Sequence, residues 1–96
     1  MTIQKMSEQD AAKEMGKLQG WTIKNGNLYR KFEFADFVEA FGFLSRAALV
    51  AEAMGHHPDW SNVWNKVEVN LSTHSVGGLS KLDFELAEKM QKLAGK

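Results

Sequence analysis

The chain has 96 residues, of which 44% are hydrophobic and 25% are charged, so it suits one folded domain and excludes a disordered or low-complexity protein. Twelve Lys and Arg residues balance twelve Asp and Glu residues, and this formal charge of +0 argues against a nucleic-acid groove built on bulk positive charge. The absence of cysteine excludes disulfides, zinc sites made of thiolates and a cysteine nucleophile.

The first twenty residues predict a loose tail and a short helix. The tail is expected to cover residues 1–6. Ser7, with Asp10 three residues later, fits a helix N-cap, because its side chain can accept a hydrogen bond from a free backbone N–H. Apolar residues then recur at helical spacing, and Gly20 is expected to end the helix.

The next segment predicts a β-hairpin. Residues 21–24 are strand-like, and residues 28–34 form the return strand. Asn25-Gly26 lies between them, and both residue types tolerate the positive φ of a tight hairpin turn. Alternation places four residues of the return strand on one face: Leu28, Arg30, Phe32 and Phe34.

A long helix is predicted from Asp36 to about Met54. Asp36 and Glu39 form a second capping pair, and Gly55 is expected to end the helix. Its expected buried stripe consists of Phe37, Phe41, Leu44, Ala48 and Ala51. A second set, Phe43, Ala47 and Val50, widens the stripe, so the helix is expected to be buried on more than one side.

A second hairpin is predicted after the long helix. Pro58 prevents the helix from continuing. Residues 59–64 predict a short strand, and Asn65-Lys66 predicts a turn. Residues 67–73 alternate between apolar and polar side chains, which is the clearest strand pattern in the chain.

The chain ends with a loop and a third helix. Residues 74–79 predict the loop, and Ser80 with Asp83 fits a further N-cap. Gly95 is expected to close the helix. The expected inward side chains are Leu82, Leu86, Met90 and Leu93.

The element order αββαββα predicts one α+β domain that spans residues 1–96. Two hairpins separated by a helix indicate a four-stranded, mainly antiparallel sheet with three helices on one face. The bare sheet face or its edge would then need protection, and oligomerisation is one means of supplying it. The many Phe, Trp and Met side chains are either core or subunit interface.

The three histidines are the first candidates for chemistry: His56, His57 and His74. Histidine exchanges a proton near neutral pH without help from its surroundings. Glu52 precedes His56 by one helical turn, so its carboxylate is expected to orient that imidazole. These residues predict a site for proton transfer.

Other interpretations of these residues stay open. Histidine at a helix end is most often a surface residue, tryptophan is most often core, and Asp83 favours a helix start without any further role. Three histidines and a glutamate could hold zinc, but His56 and His57 are adjacent and would point apart, and no HExxH motif is present. A metal site is therefore not expected.

A set of residues at defined spacings, distributed through the chain, resembles the signature of a known protein family. They read Glu52-x3-His56-His57-Pro58-x5-Trp64-x9-His74-x8-Asp83, supported by Phe32-x-Phe34-x2-Phe37, Leu71-Ser72-Thr73-His74, Gly78-Leu79-Ser80-x2-Asp83 and Trp21. This pattern resembles the signature of the pterin-4a-carbinolamine dehydratases over nearly the whole chain.

The resemblance implies an activity and a set of roles. The substrate would be a 4a-hydroxytetrahydropterin formed by an aromatic amino acid hydroxylase, and loss of water would give the quinonoid dihydropterin without a metal or organic cofactor. His56 and His74 would exchange protons, His57 would hold the pterin with a share in catalysis, and Glu52 would orient His56. The resemblance places the substrate-binding residues at Trp21, Trp60, Trp64, Thr73 and Asp83. It leaves two roles open for Asp83, which are support of His74 and the start of the last helix alone.

The resemblance also bears on partners and location. It implies a homodimer or homotetramer, and it leaves as alternatives a regulatory module that docks on a transcription factor or hydroxylase, or a relative that acts on another pterin. The candidates for an exposed docking face are on the first and last helices, although a place in the core or at a subunit contact is favoured for them: Met15, Leu18, Met90 and Leu93. Direct nucleic-acid binding and membrane insertion are not expected. The N-terminus lacks a signal-peptide pattern, so the expected location is cytoplasmic.

Overall fold

The predicted element order is confirmed. The computed structural model describes residues 2–96. Its elements are α1 (Glu8–Met15), β1 (Thr22–Lys24), β2 (Asn27–Glu33), α2 (Phe37–Met54), β3 (Asp59–Val63), β4 (Lys66–Leu71) and α3 (Lys81–Ala94). A short 3-10 helix, His74–Val76, lies between β4 and α3.

The four strands form one sheet in the order β1-β2-β4-β3, and every neighbouring pair is antiparallel. The two hairpins, β1-β2 and β3-β4, therefore meet through their second strands. In this central pairing Leu28 lies opposite Leu71, and Phe32 lies opposite Val67. The predicted four-stranded sheet is confirmed.

One face of the sheet carries the core. Side chains that alternate along β2 and β4 are at most 1% exposed: Leu28, Phe32, Val67, Val69 and Leu71. Ala11 of α1, Phe43 of α2 and Leu86 of α3 belong to the same cluster, so all three helices pack on this face. Residues with the opposite parity, such as Lys31 and Glu68, are exposed. The predicted placement of the helices is thus confirmed.

The predicted stripe of α2 is wrong in most of its members. Phe37 and Phe41 are 49% and 57% exposed, and Ala48 is exposed as well. Ala51 of this stripe is buried as predicted, and so are Phe43 and Ala47 of the second set. Ala40, which belonged to neither set, is buried with them. Three alanines bring the helix backbone close to the sheet, and the one large side chain among them, Phe43, packs on Phe32 and Phe34. The larger residues of α2 are left on its outer side.

Two predicted boundaries also move. The first helix ends at Met15 rather than near Gly20, because the chain turns at Gly16 and Leu18 reaches the core from outside the helix. The turn of the second hairpin is Trp64-Asn65 rather than Asn65-Lys66. Trp64 takes the positive φ of 51°, and the buried Asn65 donates through Nδ2 to the Phe34 oxygen at 2.8 Å.

Residues 2–6 form no helix or strand, yet part of this predicted tail is held against the domain. The Met6 N–H donates to the Leu79 oxygen at 2.7 Å, and Met6 packs against the core. Within residues 2–96, no helix combines the length and apolarity that crossing a bilayer requires. The cytoplasmic location stays a prediction.

Candidate active site

The end of α2 sends two adjacent histidines in different directions. Gly55 takes a left-handed conformation with φ 65°, and its N–H caps the helix on the Ala51 and Glu52 oxygens. This turn breaks the helical path before the histidines. His56 enters the protein and is 8% exposed, whereas the side chain of His57 is 64% exposed.

His56 is held by a buried carboxylate. Its Nε2 lies 2.6 Å from Asp83 Oδ1, and Asp83 has no exposed surface. The second carboxylate oxygen, Oδ2, accepts from the Thr73 hydroxyl at 2.8 Å and from the Ser80 N–H at 2.9 Å. Both oxygens of a buried charge are therefore hydrogen-bonded, as stability requires.

Asp83 combines the two roles that the sequence left open for it. It completes the capping box of α3, in which the Ser80 side chain accepts from the first turn of the helix. It supports a histidine as well, but this histidine is His56 rather than His74. Ser80 Oγ also lies 2.7 Å from Thr73 Oγ1, so Thr73, Ser80 and Asp83 form one buried network.

Glu52 does not orient His56 as expected. Its Oε1 lies 2.8 Å from His57 Nε2, and its side chain is 79% exposed. The left-handed turn at Gly55 explains the change, because it carries His56 inward and leaves His57 beside the outer surface of the last helical turn. Water and salt weaken a pair this exposed.

A cleft of about 430 Å³ brings the three histidines together. His74 reaches it as the first residue of the 3-10 helix after β4. The lining residues are Ile3, Gly55, His56, His57, Ser72, Thr73, His74, Ser75 and Leu82. A small molecule in this cleft would meet imidazoles and hydroxyls from two separate segments, which suits proton transfer to and from a polar ligand.

The three tryptophans lie away from this cleft. Trp21 is 4% exposed and packs edge-on against Phe32 in the core. Trp60 lines a separate groove beside α2, and Trp64 is 63% exposed at the tip of a hairpin. Within residues 2–96 none of the three tryptophans lines the cleft of the histidines, so their expected substrate-binding roles stay predictions.

Sequence reasoning missed some of the residues that build the cleft. Ser80 was recognisable in the sequence as a helix N-cap. Its position gave no indication that it belongs to the hydrogen-bond network of Thr73 and His56. Ile3 and Leu82 line the cleft without any motif of their own. Over residues 2–96, no group of three His, Asp or Glu side chains is placed to hold a metal ion.

Sequence comparisons relate the chain to named proteins. The sequence model of the family described as pterin 4 alpha carbinolamine dehydratase matches residues 4–93. A Solibacter usitatus protein is 48% identical over 90 residues, which cover 94% of this chain and 95% of that protein. A protein of Chelativorans sp. strain BNC1 is 45% identical over 98 residues and covers 100% of both chains. Both bear the name "Putative pterin-4-alpha-carbinolamine dehydratase".

Solved structures show the same fold. The crystal structure of a transcriptional coactivator/pterin dehydratase from Brucella melitensis has a TM-score of 0.92 at 41% identity and covers 95% of this chain and 99% of its own. A pterin dehydratase-like protein identified as a RuBisCO assembly factor in the alpha-carboxysome has a TM-score of 0.70 at 22% identity and covers 81% of this chain and 93% of its own. The second likeness is one of fold.

Proposed function

Because the chain belongs to the pterin-4-alpha-carbinolamine dehydratase family, we propose that it removes water from a 4a-hydroxytetrahydropterin to give the quinonoid dihydropterin. The substrate is a product of pterin-dependent aromatic amino acid hydroxylation, so the reaction returns the pterin to a form that a reductase can use. The observation that carries the proposal is the convergence of three histidines on one cleft, with a buried carboxylate behind one of them.

The proposed reaction consists of two proton transfers and one bond cleavage. The bond between C4a and its hydroxyl oxygen breaks, and a proton delivered to that oxygen lets it leave as water. N5 gives up its proton, and its electron pair forms the double bond to C4a. Both steps can be served by groups that gain and lose protons near neutral pH, so the proposal needs no metal and no organic cofactor.

His56 and His74 are proposed to exchange these protons. With Asp83 ionised, His56 carries its proton on Nε2, and Nδ1 is left as an acceptor. No residue among 2–96 forms a hydrogen bond with that nitrogen, which leaves it free for substrate. His74 has an exposed ring on the opposite segment of the cleft. His57, paired with Glu52, is proposed to hold the pterin, while Thr73 and Asp83 act through His56.

Stopped-flow absorbance tests this proposal by following the decay of enzymatically generated 4a-hydroxytetrahydropterin. Wild-type protein should accelerate the decay at catalytic concentrations. His56→Ala and His74→Ala should each lower kcat by about 10²- to 10⁴-fold, the usual contribution of a general acid or base. Glu68→Gln is the control, because Glu68 lies on the polar face of the sheet. Wild-type rates in both histidine variants would contradict the proton-transfer roles of His56 and His74.

We also propose that the protein is a homodimer or homotetramer that associates through the outer side of α2. This surface, the α2 apolar face, consists of Phe37, Val38, Phe41, Leu44, Ala48 and Leu49. Its members Val38 and Leu49 are 78% and 73% exposed, a degree that is unusual for several large apolar residues on one helix. A second copy suits it better than a nucleic acid, because the face carries no cation.

A docking role on a transcription factor or hydroxylase is the competing proposal. The coactivator name of the Brucella melitensis protein is the observation that favours it. Met90 has no exposed surface, and Met15, Leu18 and Leu93 pack against the core, which is the position favoured for them over a docking role. The α2 apolar face is the exposed apolar surface that supports such a docking role.

A further inference from the structure

On one side the histidine cleft is lined by Ile3, which lies near the N-terminus. Residues 2–6, which we call the N-terminal strap, cross the loop that follows His74. Ile3 of the strap lines the cleft together with all three histidines. Beside it, the lining is dominated by imidazoles and hydroxyls, and the one other large aliphatic side chain there is Leu82.

The strap is fixed at its C-terminal end. The Met6 N–H donates to the Leu79 oxygen at 2.7 Å, and the Met6 side chain packs against the core. The stem of Lys5 lies so close over Gly78 that a Cβ added there would come within 2.8 Å of Lys5 Cε. Three residues of extended chain reach about 10 Å, so these anchors restrict Ile3 to the neighbourhood of the cleft.

Ile3 is held at the cleft but is not part of the hydrophobic core. It is 38% exposed and does not belong to the buried core cluster. An aliphatic side chain that stays partly in water gains free energy when a ligand covers it. A flat heterocycle has polar edges, which suit the histidines and hydroxyls, and weakly polar faces, which suit a branched aliphatic side chain.

We propose that Ile3 is a substrate-binding and specificity residue that packs against the face of the bound pterin ring. This inference rests on the proposed function. It assigns the strap a role in affinity, because Ile3 offers no group that could transfer a proton. Its contribution belongs equally to ground state and transition state, so it should appear in KM and leave kcat unchanged.

The test compares Ile3→Ala with two matched variants. Ile3→Leu keeps the aliphatic volume, and Ile23→Ala removes the same atoms from an isoleucine on β1 that is 47% exposed and absent from the histidine cleft. Ile3→Ala should raise KM about five- to tenfold with unchanged kcat, since the removed methyl groups cover part of one ring face. Ile3→Leu and Ile23→Ala should stay within about twofold of wild type.

A binding assay separates this inference from the proposed function. The quenching of pterin fluorescence gives the Kd of an oxidised pterin probe, biopterin, for each variant, and circular dichroism verifies the fold. Ile3→Ala should raise the Kd of the probe by the same factor by which it raises KM. Unchanged KM and Kd in Ile3→Ala, or a fall in kcat alone, would overturn the role of Ile3 while an active wild type upholds the dehydratase. A wild type that neither binds the probe nor accelerates the reaction would overturn both.

Discussion

The two adjacent histidines differ in how firmly their rings are held. His56 is bonded to a carboxylate with no exposed surface, and Thr73 and Ser80 fix the second oxygen of that carboxylate. His57 is bonded to a carboxylate in open water. A hydrogen bond to a buried, fully satisfied charge keeps one orientation and one tautomer, whereas an exposed pair exchanges with solvent.

Asp83→Asn should therefore cost far more activity than Glu52→Gln. Asparagine keeps the size and the capping ability of residue 83, but it removes the charge that holds the proton on His56 Nε2. We expect kcat to fall about 10²-fold or more in Asp83→Asn and less than about tenfold in Glu52→Gln. Steady-state kinetics gives both values. Equal losses in the two variants would show that the buried pair has no special part in the reaction.

These contacts mark the limit of what sequence alone can predict at the residue scale. The types and spacing of the histidines and acids identified part of the candidate site. Their pairing depended on the left-handed turn at Gly55 and on a contact across 27 positions, His56 with Asp83. Helical spacing favoured the nearer acid, Glu52, because a carboxylate one turn away needs no tertiary structure to be close.

Tyr29 offers a second prediction at this scale, since it is the one tyrosine of the chain. Its hydroxyl donates to Glu68 Oε1 at 2.6 Å, and this hydrogen bond, followed by burial and by repulsion from the carboxylate, raises the pKa of Tyr29 above its usual value. Glu68→Gln should lower that pKa, as measured by tyrosinate absorbance. An identical midpoint in the two proteins would contradict the contact.

The raised pKa of Tyr29 also fixes the sign of its effect on stability. The folded protein holds the phenol proton more tightly than the unfolded chain does, so this contribution is complete below the unfolded pKa of about 10. It is lost as the pH rises through the folded pKa. Wild type should therefore lose more stability than Glu68→Gln when the pH is raised over that range, as denaturant unfolding can measure.

At the scale of elements, α2 shows that the periodicity of apolar residues predicts the presence of a helix better than it predicts which side of the helix faces the core. Two sets of residues on this helix have helical spacing, and both were expected to be buried. The helix is buried on one side only, through an alanine-rich set that includes Phe43 and Ala47, whereas Phe37 and Phe41 of the first set are exposed. Small residues let two elements approach closely, and this advantage is invisible to a pattern that counts apolar residues alone.

Phe43→Ala should destabilise the domain by about 3–5 kcal/mol, because Phe43 has no exposed surface and its ring lies 4.8 Å from that of Phe32 and 5.1 Å from that of Phe34. Arg46→Ala on the same helix is the control, since Arg46 is exposed and is not part of the α2 apolar face, and it should change the free energy of unfolding by less than about 0.5 kcal/mol. Denaturant unfolding at one fixed protein concentration gives both values. A smaller loss for Phe43 than for Arg46 would mean that α2 presents its other side to the sheet.

At the scale of the whole molecule, the polar and apolar surfaces are separated. The sheet face turned away from the helices carries charged and polar residues such as Lys31 and Glu68, so it needs no cover. The α2 apolar face has the opposite character. The sequence suggested that oligomerisation would protect the bare sheet face or its edge, whereas the exposed apolar residues of α2 support association through this helix.

Phe41→Asp should reduce the oligomeric state, because it places a charge in the middle of the α2 apolar face at a residue that is 57% exposed in one copy. Ala12→Asp is the matched control on α1, where the residue is exposed and outside that face. Native mass spectrometry and light scattering measure the mass. We expect a dimer or tetramer for wild type and Ala12→Asp, and a smaller species for Phe41→Asp. A wild type that stays monomeric, or a variant with the wild-type mass, would contradict self-association through α2.

The capping box of α3 has a consequence for how this site can change over time. One carboxylate, Asp83, begins a helix and supports His56, the histidine proposed to exchange protons. A substitution that suits the helix alone, such as serine, would leave His56 unsupported, and one that keeps the charge on a longer stem, such as glutamate, would not fit the buried pocket. Substitution of residue 83 is therefore constrained by two separate requirements, the start of α3 and the support of His56.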